Sequence, residues 1–288
     1  MAGLQPVAAH AWGSAGHRIV NGLAARGLPA GIPAFLRTPA AIEEIEYLGP
    51  EPDRWRSPAD PELSSAQAPE HFIDLELADA LGPLPRFRFE FLAKVYAAGR
   101  QPEKIGLLPW ETEEVWERLE SAMRDYRKIQ AAGGDSKPVE EAIIFYAGWL
   151  GHYVGDGSQP LHTTVQSNGW KGADPEGYTR SHSFHHRFEA LFVEANIRVS
   201  DVAPKMTPVR AIQGDMFDAI AAYLRQTHAR VNELYRLEKA GGFAGEGTPA
   251  SRAFTAQRLA AGASMLRDMI YTAWIDSARP APERPKRR

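Results

Sequence analysis

His152 and Asp156 stand four residues apart in the run Gly151-His152-Tyr153-Val154-Gly155-Asp156-Gly157-Ser158-Gln159-Pro160-Leu161-His162. On a helix that spacing puts both on one face, where an imidazole and a carboxylate can reach one metal ion or two adjacent ones. The stretch before them is apolar all round, so this face points inward, and a carboxylate buried there is costly unless a cation compensates it. Pro160 ends the helix, and His162 follows within a turn. His185 and Glu189 repeat the four-residue spacing, with His182 and His186 as a competing pair on the neighbouring stripe. Two more contexts carry His: Trp12-Gly13-Ser14-Ala15-Gly16-His17 and His71-Phe72-Ile73-Asp74, the latter preceded by Asp53-Arg54-Trp55-Arg56. Each of these alone reads as an ordinary helix, turn or core residue. In a chain with no Cys, any metal must be held by His, Asp and Glu, a donor set that suits zinc.

The elements that must position these residues are helical. Apolar positions recur at helical spacing over 12–27, 86–98, 111–130, 138–154, 183–196, 208–239 and 251–277, and no run of alternating strands appears. Turn-rich breaks fall at 49–69, 99–109, 131–137, 165–181 and 240–250. The 165–181 segment, with Trp170 and Tyr178, is expected to border the cleft between His162 and His185. No repeat and no linker divides the chain. The expectation is therefore all-α: a single compact multi-helix domain over 12–278, with a disordered basic tail over 279–288.

Composition agrees. The 288 residues are 44% hydrophobic and 10% aromatic, which excludes a largely disordered chain. Zero Cys excludes a disulfide scaffold and any thiolate metal site. A net charge of −3, from 33 Lys+Arg against 36 Asp+Glu, argues against a globally basic nucleic-acid binder. It leaves open phosphate binding through metal ions. No apolar stretch approaches the roughly 20 residues of a membrane-spanning helix. No nucleophile triad, phosphate-binding Gly loop or dinucleotide motif offers a competing chemistry.

The ordered set Trp-Gly-x-x-Gly-His, Asp-x-x-Arg, His-Phe-Ile-Asp, His-x-x-x-Asp-x-x-x-Pro-x-His and His-x-x-x-Glu resembles the zinc-dependent phospholipase C and single-strand-specific zinc nuclease superfamily. The resemblance runs from Trp12 to Glu189, with a looser helical match to Ser277. It implies an all-helical domain with a trinuclear zinc cleft. Asp53, His71, His152 and Asp156 would hold one zinc, and His162, His185 and Glu189 a second. Trp12 and His17, with Asp156 bridging, would hold the third, Trp12 through its free α-amino group and carbonyl oxygen. That role requires cleavage after Ala11. Residues 1–11, ending Ala-His-Ala, are accordingly expected to be the remnant of an incomplete secretion signal, and the protein to be secreted or periplasmic.

The implied activity is zinc-dependent phosphodiester hydrolysis, in which a zinc-bound hydroxide attacks phosphorus. Asp53 and Arg56 are the catalytic candidates. Within the family the Trp12-to-His17 spacing, Arg56, and the pair Phe72 and Asp74 as substrate contacts resemble the nuclease branch, which implies an endonuclease on single-stranded DNA or RNA. Glu189 as last ligand, the lack of Cys, and the stretch from Thr255 through Arg258 to Trp274 resemble the phospholipase branch, which would act on phospholipid headgroups. A third expectation is a zinc-stabilised binding module without turnover. No stable protein partner is implied.

Overall fold

The computed structural model describes residues 12–279, and these form one body of helices. Among the described residues there is no strand, only an isolated antiparallel bridge between Ile73 and Gly106. The segment 1–11 and the tail from 280 onward lie outside the described residues, so the cleavage and disorder expectations stay where the sequence left them. No described helix is long and apolar enough to cross a membrane.

A central helix, Lys137–Ser158, organises the rest. Packed around it are the N-terminal helix Gly13–Arg26, the helix Pro39–Leu48, the long helix Leu108–Ala131 and the C-terminal helix Pro249–Asp276. From Leu150 to Ser158 every residue of the central helix is buried, as its all-round apolar sequence requires. It runs four residues past the expected 154, so Asp156 lies on it.

Two differences from the sequence reading have local causes. The continuous helix expected over 208–239 begins only at Met216 and is interrupted before Val231. Gly214 sits at φ 86, and Asp215 accepts a hydrogen bond from the Asp218 N–H, a cap that fixes the start. The helix Pro39–Leu48, which the hydrophobic spacing did not single out, carries its own start signal. Thr38 accepts from the Ala41 N–H and Pro39 occupies the first turn, a cap worth about 1 kcal/mol.

The N-terminal helix lies close against the central one because the central helix presents glycines to it. A methyl group at Gly151 would lie 2.0 Å from Asn21 Oδ1, and one at Gly155 would lie 2.9 Å from His17 Nδ1. Asn21 is fully buried, and its Nδ2 donates to the carbonyls of Ile45 (2.8 Å) and Gly148 (2.9 Å), so one amide ties three helices together. Gly151→Ala is therefore expected to cost about 1–3 kcal/mol by overpacking against a side chain that cannot turn away. Thermal denaturation reads this directly; an unchanged melting temperature would show that Asn21 is not held as described.

Candidate metal centre

Eight side chains from six parts of the chain meet at the buried end of the central helix. They form three groups in which the ligand atoms lie within 4.8 Å of one another: His17, His152 and Asp156; Asp53, His71 and His152; and His162, His185 and Glu189. The first two share His152, whose ring stacks on His17 at 4.0 Å and meets His71 edge-on at 4.7 Å. Asp156 touches all three. Its Oδ1 is 3.4 Å from His17 Nε2, and its Oδ2 is 3.2 Å from His71 Nδ1, 3.4 Å from His152 Nε2 and 3.9 Å from His162 Nδ1.

Local backbone explains how each imidazole is aimed. His152 Nδ1 donates to the Gly49 carbonyl at 2.8 Å, and His162 Nδ1 donates to the His71 carbonyl at 2.6 Å. A carbonyl can only accept, so both rings carry their proton on Nδ1 and turn the Nε2 lone pair inward, the form a metal ligand needs. His185 and Glu189 lie where the helix changes pitch: a short α-helical turn at Phe184–His186 continues as a π-helical turn over Arg187–Phe192. Widened turns of this kind recur at functional sites. Here His185 Nε2 comes to 2.7 Å from Glu189 Oε2.

Electrostatics makes the arrangement incomplete without cations. Burial drives the Asp156 carboxyl well above its ordinary pKa despite the opposing pull of His162, and Asp53 and Glu189 add to the rise. Burial likewise holds His152 well below the ordinary imidazole value, with His17 and His71 adding, so it is neutral. Glu189 is also pushed up by burial, but His185 and His162 outweigh that and hold it at about 2. Asp156 Oδ1 and Glu189 Oε1 are buried and make no hydrogen bond. Inward lone pairs, a neutral His152 and unsatisfied carboxylate oxygens are part of the donor set zinc takes, and the residues fit it.

The remaining sequence candidates fall around this cluster. Arg56 Nη1 lies 3.5 Å from Asp53 Oδ1 and is partly exposed. Asp53, His162 and His185, at 4–7% exposure, mark the side on which the cluster approaches solvent, while His17, His152, Asp156 and Glu189 are at 0%. Phe72 follows His71 on the segment bridged to Gly106 and is partly exposed. The Asp74 carboxyl is raised to about 7 by burial and by Glu76, against the pull of Lys171 and His162. Trp12 is fully buried: its indole Nε1 donates to the Gly155 carbonyl and to Ser158 Oγ, both at 2.8 Å, and its carbonyl accepts the Gly16 N–H at 3.0 Å. It is held at φ 40, the left-handed region in which a bulky residue is strained. Trp170 and Tyr178 pack on Tyr235, with ring centroids at 5.2 and 5.4 Å, so the loop's aromatic rings serve its own anchoring.

Sequence reasoning missed Gln159. It is fully buried, its Oε1 accepts the Leu161 N–H at 2.7 Å, and that bond turns its Nε2 to donate to Glu189 Oε2 at 2.9 Å. Its place in the chain, a polar amide between Asp156 and His162 next to Pro160, was the available signal. Groups that orient a ligand typically contribute 10–100-fold in metal affinity. Gln159→Leu is expected to weaken zinc binding by about that factor, read by competition with a chelator of known affinity; unchanged affinity would reduce Gln159 to a turn cap.

No protein-family model and no curated protein matches this chain. A solved structure of Clostridium perfringens alpha-toxin, from an avian strain, is similar at TM-score 0.37 and 14% identity, over 94% of this chain. The chain spans 65% of the length of that structure. None of these comparisons points to a nuclease, and the reading of the site rests on its own geometry.

Proposed function

We propose that this chain is a zinc-dependent hydrolase of phosphoester bonds. The observation that supports it is the meeting of three His/carboxylate groups around the buried carboxylate of Asp156, beside an arginine on the exposed rim. When bound, zinc ions would supply Lewis acidity and a nucleophile near neutral pH.

The protein's own groups have separable tasks. His17, His71, His152, His162 and His185 with Asp156 and Glu189 would hold the ions. Asp53, close to solvent, would complete the group it forms with His71 and His152 and orient the attacking water. Arg56, next to Asp53, would offer guanidinium donors to the phosphoryl oxygens, the interaction that strengthens as charge develops. Three divalent ions against three carboxylates and five neutral imidazoles would leave the site net positive, which favours an anionic phosphodiester.

Two substrates fit this chemistry. Single-stranded nucleic acid is favoured by Arg56 and by Phe72, a partly exposed aromatic ring next to ligand His71 that can stack on a base. A phospholipid headgroup is favoured by Glu189 as the last ligand of the group it forms with His162 and His185. The test sets metal-loaded protein against single-stranded DNA, single-stranded RNA and a phosphatidylcholine dispersion, each with and without chelator. Chelator-sensitive release of nucleotides or of phosphocholine is the expected outcome and names the substrate. Asp53→Asn should lower turnover by on the order of 100-fold or more while most of the zinc is retained. Zinc-loaded protein inert on all three would speak against hydrolysis and for a zinc-stabilised binding module.

A further inference from the structure

Away from the metal centre, the helices Met216–His228 and Pro249–Asp276 part around a cavity of about 290 Å³ lined by Tyr223, Gln226, Thr227, Arg230 and Arg258, with no acidic side chain on its wall. Arg258 is half-buried there. No hydrogen bond or ion pair reaches its guanidinium among the described residues, whereas other arginines packed into this fold, such as Arg88 and Arg267, are bound to carboxylates. The carboxylate closest in influence, Glu233, is bonded to Arg230 at 3.1 Å. Tyr223 donates its hydroxyl to the Val154 carbonyl at 2.8 Å, and burial raises that phenol well above its ordinary value, so it stays neutral. Burial also holds Arg258 below the ordinary arginine value; Tyr223 and Glu233 pull it back, and Arg230 adds to the depression.

A half-buried guanidinium without a counter-ion is only partly compensated by water, and an anion in the cavity would complete that compensation. The planar fork of Arg258, the second guanidinium of Arg230 and the exposed amide of Gln226 offer donors from several directions, which suits a tetrahedral oxyanion better than a flat carboxylate. We infer that this cavity binds a phosphate group, as inorganic phosphate or as the phosphate of a phosphomonoester, with Arg258 as its anchor. A second cavity of about 470 Å³ shares Tyr223, Gln226 and Ala261 and is walled by Ile212, Ala219 and Met265, room for the organic part of a phosphomonoester. The site lies behind the metal centre: the Tyr223 ring lies against Gly157, the residue after Asp156, so closely that a methyl group there would be 2.8 Å from Tyr223 Cε1.

The test is calorimetric titration of the metal-loaded protein with inorganic phosphate, a nucleoside 5′-monophosphate and phosphocholine. The wild type is compared with Arg258→Gln and with Gln226→Glu, which supplies the missing carboxylate at an exposed position. Wild type should bind one phosphate more per chain than either variant, or bind it at least tenfold more tightly. Gln226→Glu should also raise the melting temperature, and turnover on the protein's substrate should be unchanged in both. Much tighter binding of one phosphomonoester than of inorganic phosphate would assign the organic part to the adjoining cavity; equal binding would assign the site to phosphate alone. Identical isotherms for wild type and Gln226→Glu would overturn the inference, whether or not Arg258→Gln folds.

Discussion

A single carboxylate, that of Asp156, lies at 0% exposure with imidazoles of His17, His71 and His152 at 3.2–3.4 Å. A charge cannot be placed there in a low-dielectric interior without compensation, and neutral imidazoles compensate poorly. The remaining structure follows from making that position tolerable. Side chains from the N-terminal helix, the segments around Asp53 and His71, the turn after Pro160 and the widened turn at Glu189 all converge on it.

Convergence on one point demands close helix packing, and the central helix meets the demand by omitting side chains where its neighbours cross. Gly151 admits Asn21 and Gly155 admits His17; with any larger residue the N-terminal helix would stand off and His17 would not reach Asp156. Asn21 then fixes the spacing by bonding to the backbone of two other helices. The same economy appears in the orientation of the imidazoles, where the carbonyls of Gly49 and His71 set the tautomers of His152 and His162. Fold and site are therefore one arrangement, and the tautomers of His152 and His162 are set by backbone that the packing itself positions.

Much of this was legible in the residues. Helical periodicity marked most of the long helices, and the four-residue spacings of His152/Asp156 and His185/Glu189 marked the faces that carry the ligands. The structure brings His17, Asp53, His71 and His162 to those faces. Spacing along the chain could not show how the groups share members. The resemblance allotted Asp156 to two of them, whereas in the structure the residue that belongs to two groups is His152, and Asp156 lies within 4 Å of a histidine of each group. Gln159 was hidden because an amide acts only through what it touches, and Asn21 because an isolated polar residue in a helix reads as surface. The helix break before Met216 was hidden because Gly214 and the Asp215 cap interrupt an otherwise regular pattern. Arg258 is a mirror case. Its sequence context is that of a plain amphipathic helix, and only the tertiary fold shows that no carboxylate among the described residues pairs with it.

The central claim is that the three groups around Asp156 are metal sites, and the most direct measurement is the metal content of the purified chain by elemental mass spectrometry after gel filtration without chelator. About three zinc ions per chain are expected, falling by more than one in Asp156→Asn, because that carboxylate lies within 4 Å of a histidine of each group. A folded wild-type chain that carries no zinc, and takes up none on titration, would contradict it.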